Sequence, residues 1–188
     1  MILMIVISSC ILALTKLLVR LDGPVLEPVY FDHLSGIEGD PALSLLASLK
    51  NNLGEHGTVI AWYASFESAR NREMGGLHPQ YAGFMEGVND RIYDLKEIVS
   101  KGIYQHPGFK GSNSIKNVLP VMVPELSYTD LEINNGSQAS FGWWQLAFSN
   151  LDKMEREMLV VQMLAYCRLD TLAMVEIYRR FASFAAGN

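Results

Sequence analysis

The residues best suited to chemistry in this chain are three: Glu67 in "WYASFE", and Tyr166 and Asp170 in "YCRLD". Tyr166 and Asp170 stand four positions apart, so on a helix they share one face. A phenol and a carboxylate on an otherwise apolar face have two readings. One is a solvated acid beside a core tyrosine; the other is a metal-binding carboxylate with a hydroxyl partner. Glu67 follows a short apolar run, Thr58–Tyr63, that reads as a buried strand, and it opens the helix expected from Ser65. The carboxyl ends of strands in open α/β sheets are where ligands bind, and an acid there is also favoured by the positive end of its helix. Asp94 in "RIYDLKEI" has the same ambiguity, with helix capping favoured over ligation.

The elements that must position these groups follow from local pattern. The first fourteen residues are broken only by Ser8 and Ser9. That run is short of the ~20 apolar residues a membrane span needs and lacks the charge and cleavage pattern of a signal peptide. Its Ile and Val content favours buried strand, in one or two pieces. A membrane anchor, a mis-set start and a foreign segment are the alternatives, so membrane contact of residues 1–15 is held as a minor reading. "TKLLVRLDGPVLEPVYFDHL" reads as two strands around Asp22-Gly23. Asp40-Pro41 opens a helix with Leu43, Leu46, Leu49 and Leu53 as its buried stripe and Gly54 as its stop. Further helices are expected over Pro79–Val88, from about Ser114 with Pro120 and Pro124 limiting it, after "INNG", over Met154–Ala165 and over Leu169–Phe184. A short strand passing into a helix is expected in "DRIYDLKEIVSKG". Strands first, then helix, strand and several helices, is an α/β order: a meander followed by a parallel addition.

The bulk numbers agree with one globular domain. The chain has 188 residues, 49% hydrophobic and 19% charged, with a formal net charge of −5, which argues against a broadly basic nucleic-acid surface while leaving room for a small local site. Two cysteines, Cys10 and Cys167, form neither a disulfide framework nor a zinc spacing, and a cytoplasmic location is the default. The four histidines are scattered and read as loop residues rather than metal ligands. Cys167 reads as a small buried residue, and Trp143 and Trp144 as packing residues.

Longer motifs carry a resemblance. "WYASFE", "IYDL", "HPGFKGSNSIKNVLP" (His106–Pro120), "PELSYTDLEI" (Pro124–Ile133) and "YCRLDTLAMV" (Tyr166–Val175) resemble, in this order, the pattern of bacterial domain-of-unknown-function family 2779. That family looks like a branch of the DEDD exonucleases, whose fold is ribonuclease H-like. The likeness runs from about Val25 to Tyr178. It implies a ribonuclease H-like mixed sheet flanked by helices over residues 22–188, preceded by an atypical apolar segment at 1–21, with the first strand missing or replaced. It implies a metal-dependent 3′–5′ exonuclease-type phosphodiesterase, a hydrolase acting on nucleic acid. Glu67 matches the second-motif acid, Asp170 the third, and Tyr166 the tyrosine that orients the attacking water. Asp94 is then a neighbouring or helix-capping acid rather than a ligand.

The implied cofactor is Mg²⁺ or Mn²⁺, hard ions that take oxygen ligands, and two of them ~3.5–4 Å apart can activate water and stabilise a leaving oxygen. The implied partner is a single-stranded nucleic-acid end, with no small-molecule cofactor. Lys110, Ser112 and Lys116, in a Gly-rich loop before a helix, are candidate phosphate contacts; a capped helix with solvated lysines explains them equally well. Two departures stand out. The D-x-E pair that the superfamily carries on its first strand is absent before Glu67, and Tyr63 stands where the family pattern has asparagine. Without D-x-E, metal affinity should fall. The chain therefore reads as an impaired nuclease, with a catalytically silent ribonuclease H-like binding module as the alternative.

Overall fold

In this computed structural model, the structure describes residues 3–6, 13–20, 29–34 and 40–187. Five strands form one sheet in the order β3-β2-β1-β4-β5. They are β1 (Leu3–Val6), β2 (Ala13–Arg20), β3 (Val29–Leu34), β4 (Val59–Ala61) and β5 (Ile92–Asp94). The first three make an antiparallel meander, with Leu3 opposite Arg20 and Ala13 opposite Leu34. β4 then adds in parallel beside β1, Ile5 opposite Val59, and β5 adds in parallel beside β4. The α/β class and the meander-then-parallel order read from the sequence are those observed. The Asp22-Gly23 turn lies outside the described residues.

The apolar run at the start supplies β1 and the first part of β2. β1, built from Leu-Met-Ile-Val, occupies the middle of the sheet.

Seven helices among the described residues clothe the sheet: α1 (Pro41–Leu53), α2 (Ala64–Leu77), α3 (Pro79–Asn89), α4 (Glu97–Ser100), α5 (Ile115–Met122), α6 (Gly136–Phe148) and α7 (Lys153–Ala185). Adjacent residues of β4 divide them into two cores, because successive side chains of a strand point to opposite faces. Val59 joins Leu45, Leu46, Leu49 and Leu53 of α1 with Met85 and Val88 of α3. Ile60 joins residues of α5, α6 and α7, among them Leu119, Met163 and Met174. α7 packs across β2, β1 and β3.

Several local expectations are corrected. Asp40 does cap α1, accepting from the amides of Ala42 and Leu43 at 2.9 and 3.4 Å, and Pro41 takes its first position. The buried stripe is Leu45, Leu46, Leu49 and Leu53 rather than one including Leu43, which is 40% exposed. Runs of leucine allow either phase of the helix, and packing against β4 selects one.

The strand expected over Thr58–Tyr63 ends at Ala61. Pro120 lies inside α5 without stopping it. The two C-terminal helices are one helix of 33 residues, since no Pro or Gly interrupts it between Lys153 and Ala185. By length and composition alone α7 could cross a bilayer, but Met163, Tyr166, Cys167, Met174 and Ile177 along it are buried in the core.

Candidate active site

The turn from β4 into α2 places Glu67. Tyr63, the N-cap residue of α2, has φ 91° and ψ 65°, a left-handed conformation that a bulky residue adopts only under constraint. Its own side chain caps nothing. The constraint comes from β5 instead. Asp94 Oδ1 accepts from the Tyr63 amide (3.0 Å) and the Lys96 amide (3.0 Å), while Oδ2 accepts from the Ala64 amide (2.9 Å). One carboxylate thus fills the role of the missing cap, satisfies donors at the start of α2, and meets the positive end of its dipole. Capture of those two amides by Asp94 explains why β4 stops at Ala61. The Tyr63 carbonyl accepts from the amides of Phe66 and Glu67 (3.1 and 3.4 Å), which winds the first turn and carries Glu67 inward. Glu67 is 7% exposed.

α7 places the other two groups. Tyr166 is buried and Asp170 half-buried, one helical turn apart. The Tyr128 hydroxyl donates to Asp170 Oδ1 at 2.7 Å, and its ring lies 6.1 Å from that of Tyr166. Burial first, then the Asp170 charge and the hydrogen bond to it, push the Tyr128 phenol well above the usual tyrosine range, so at neutral pH Tyr128 is a proton donor to a carboxylate. The Tyr166 hydroxyl faces the start of α6: a β-carbon at Gly136 would lie 3.9 Å from it. Cys167 is fully buried, and its carbonyl accepts from Thr171 Oγ1 at 2.9 Å.

The loop residues divide. Lys116 lies on α5 with its ammonium 6.0 Å from the Tyr128 ring centroid, which brings it to the Asp170 side. Ser112 Oγ accepts from the Ser114 amide at 3.2 Å, a local turn rather than a cap on α5. Next to it, the Asn113 carbonyl accepts from Trp62 Nε1 at 3.1 Å, tying the loop to the end of β4. Lys110 is exposed at the end of a single 3₁₀ turn, Pro107–Phe109, with φ 54°. Trp143 is partly buried against the core; Trp144 is 49% exposed and stacks on Phe141, so only the first of the pair is the packing residue expected.

Tyr128 is the residue that the sequence reading passed over. Its signal was present, a lone phenol inside the specific motif "PELSYTDLEI", but its bond to Asp170 spans 42 positions and no local pattern reveals it.

Hard ions with several oxygen ligands require carboxylates gathered at one place. Among the described residues no group of three or more His, Cys, Asp or Glu side chains is so gathered. One Asp170 oxygen is engaged by Tyr128 and both Asp94 oxygens by backbone amides. β1, at the middle of the sheet, has no acid in its sequence. These residues do not fit a pair of ions.

Comparison with known proteins bears on part of this. Residues 25–114 match the model of a family described as "Domain of unknown function (DUF2779)". Glu67, Asp94, Lys110 and Ser112 fall inside that span, whereas Lys116, Tyr128, Tyr166 and Asp170 lie beyond it. An uncharacterized protein of Ureaplasma parvum serovar 3 is 28% identical over 154 residues, covering 68% of this chain and 21% of its own length. The chain thus spans about a fifth of that relative. No solved structure matches.

Proposed function

We propose that this chain is a ribonuclease H-like domain of the DEDD exonuclease type that engages a single-stranded nucleic-acid end and is impaired in hydrolysis. The observation that carries the reading is the pairing on α7. Asp170 and Tyr166 share one turn, and Tyr128 is bonded to that acid. Glu67 lies buried in the first turn after the parallel strand β4. The sheet order, a meander of β1 to β3 with β4 and β5 added in parallel, is what such a fold requires. The impairment rests on ligand count: Glu67 and Asp170 alone offset too little of the charge of two Mg²⁺ or Mn²⁺ ions.

The test is nucleotide release from end-labelled single-stranded DNA and RNA, with Mn²⁺ and with a chelator. The expected result is release no greater than in chelator, while the same oligonucleotides are retarded by the protein in a gel. Robust chelator-sensitive release, lost in both Glu67→Ala and Asp170→Ala, would contradict the impairment.

A further inference from the structure

Beside the turn that carries Glu67, the surface opens into two adjoining pockets of about 520 and 480 Å³ that share Ser100 and Asn113. Each lies within the ~300–1,000 Å³ range of small-molecule sites. The first is lined by Tyr63, Ser65, Tyr93, Asp94, Lys96 and Glu97, among others, at the carboxyl ends of β4 and β5. The second continues past His106, Phe109 and Ser112. Together they make a groove that starts one helical turn from Glu67 and leads across the loop of "HPGFKGSNS".

The chemistry at the near end is aromatic and cationic. Tyr63 and Tyr93 are 49% and 47% exposed. The Tyr63 ring lies parallel to that of Phe66, with centroids 6.4 Å apart and planes 12° apart, and the Lys96 ammonium stands 3.9 Å from the Tyr63 centroid. Exposed rings are costly to hydrate, and this one is held outward by a left-handed backbone, a strain that persists only where surrounding contacts over-determine it. Of the two acids lining this pocket, Asp94 is engaged by three backbone amides and Glu97 by Lys101 at 2.6 Å. Lys96, its ammonium over the Tyr63 ring, is the cation among the lining residues of this pocket.

From this we infer that the groove receives an unpaired strand: Lys96 swings from the face of the Tyr63 ring that it covers to the adjoining phosphate, and the base nearest Glu67 stacks on the ring face so cleared. This rests on the reading of the chain as a nucleic-acid-binding domain and adds to it the path of the strand. Aromatic rings stack on any base, whereas a phosphate contact alone does not distinguish a strand with bases from one without.

The experiment measures binding by fluorescence anisotropy in chelator at one fixed salt concentration, using oligothymidylate and an abasic strand of the same length. The variants are Tyr63→Asn, Tyr63→Phe and Lys96→Gln. Asparagine tolerates the left-handed conformation better than tyrosine, so Tyr63→Asn removes the ring without forcing the turn. Tyr63→Asn is expected to weaken oligothymidylate binding by roughly 5- to 100-fold and to leave abasic binding unchanged. Tyr63→Phe should bind as the native chain does, and Lys96→Gln should weaken both strands alike.

Photocrosslinking of a 4-thiothymidine strand to the native chain, mapped by mass spectrometry, is the second measurement, and it needs no variant. Crosslinks at Tyr63 or Tyr93 are expected. Equal affinity for both strands in the native chain, equal loss in Tyr63→Asn, or crosslinks confined to other surfaces overturns the groove while leaving the domain reading intact. Absence of binding to either strand removes both.

Discussion

At the scale of single residues, the bond from Tyr128 to Asp170 is the contact most open to test. Replacing Tyr128 by Phe keeps the ring and withdraws the hydroxyl that donates to the half-buried Asp170 carboxylate. The expected cost is about 1–3 kcal/mol, read as a lowered urea midpoint with an unchanged slope. The sign with pH follows from the raised Tyr128 pKa. An unfolded tyrosine loses its proton near ~10, whereas folded Tyr128 keeps it, so unfolding releases a proton above that pH. Native stability contributed by this group is full below ~10 and declines as pH rises beyond it, by at most about 1.4 kcal/mol per pH unit. The Tyr128→Phe chain should show a shallower alkaline decline, and identical alkaline slopes would contradict the assignment.

Asp94 is the second such residue. Asp94→Ala frees three backbone amides at once and should destabilise by about 2 kcal/mol. If Asp94→Ala unfolds at the native urea concentration, the cap does not hold the turn. Neither contact was legible as a contact. "IYDL" and "SYTDL" were recognisable strings, and Asp94 was expected to cap a helix, yet two of the three amides it accepts from belong to residues some thirty positions away.

At the scale of elements, legibility follows the reach of the cause. α1 was readable because its cap, its proline and its leucines are all local. The end of β4 was not, because a distant carboxylate sets it. The unbroken α7 could have been read, since nothing between Tyr166 and Leu169 breaks a helix. Its start is held by a capping box: the Asp152 carboxylate accepts from the Glu155 amide at 2.8 Å, and the Glu155 carboxylate accepts from the Asp152 amide at 2.8 Å. Asp152→Ala is expected to cost about 1 kcal/mol, a fall of ~2–4 °C in Tm for a chain of this size, with no effect on oligonucleotide binding. A loss of binding without a loss of Tm would show that the start of α7 does more than hold the helix. On α6 the exposed Phe141, Trp144 and Phe148 form a ladder of rings, a face that the pattern of "FGWWQLAF" left undivided between core and surface.

At the scale of the whole molecule, one sheet separates two cores, and the two sides of the proposed site, on α2 and α7, are far apart in the sequence. α2 springs from the end of β4, and α7 crosses β1, β4's neighbour. β1 is the strand beside β4, and its sequence holds no acid; on the proposed reading this is the strand that would carry the acid pair of a DEDD nuclease. On the proposed reading, the rest of a nuclease scaffold stands around a strand whose sequence holds no acid. Because side chains alternate along a strand, the Asp-x-Glu pair is installed in both registers, Leu3→Asp with Ile5→Glu and Met4→Asp with Val6→Glu. The measurement is Mn²⁺-dependent nucleotide release from an end-labelled single strand by each folded variant. One register should release nucleotides, and Asp170→Ala in that background should abolish the release. Two folded variants that release nothing, or release that survives Asp170→Ala, would contradict the account.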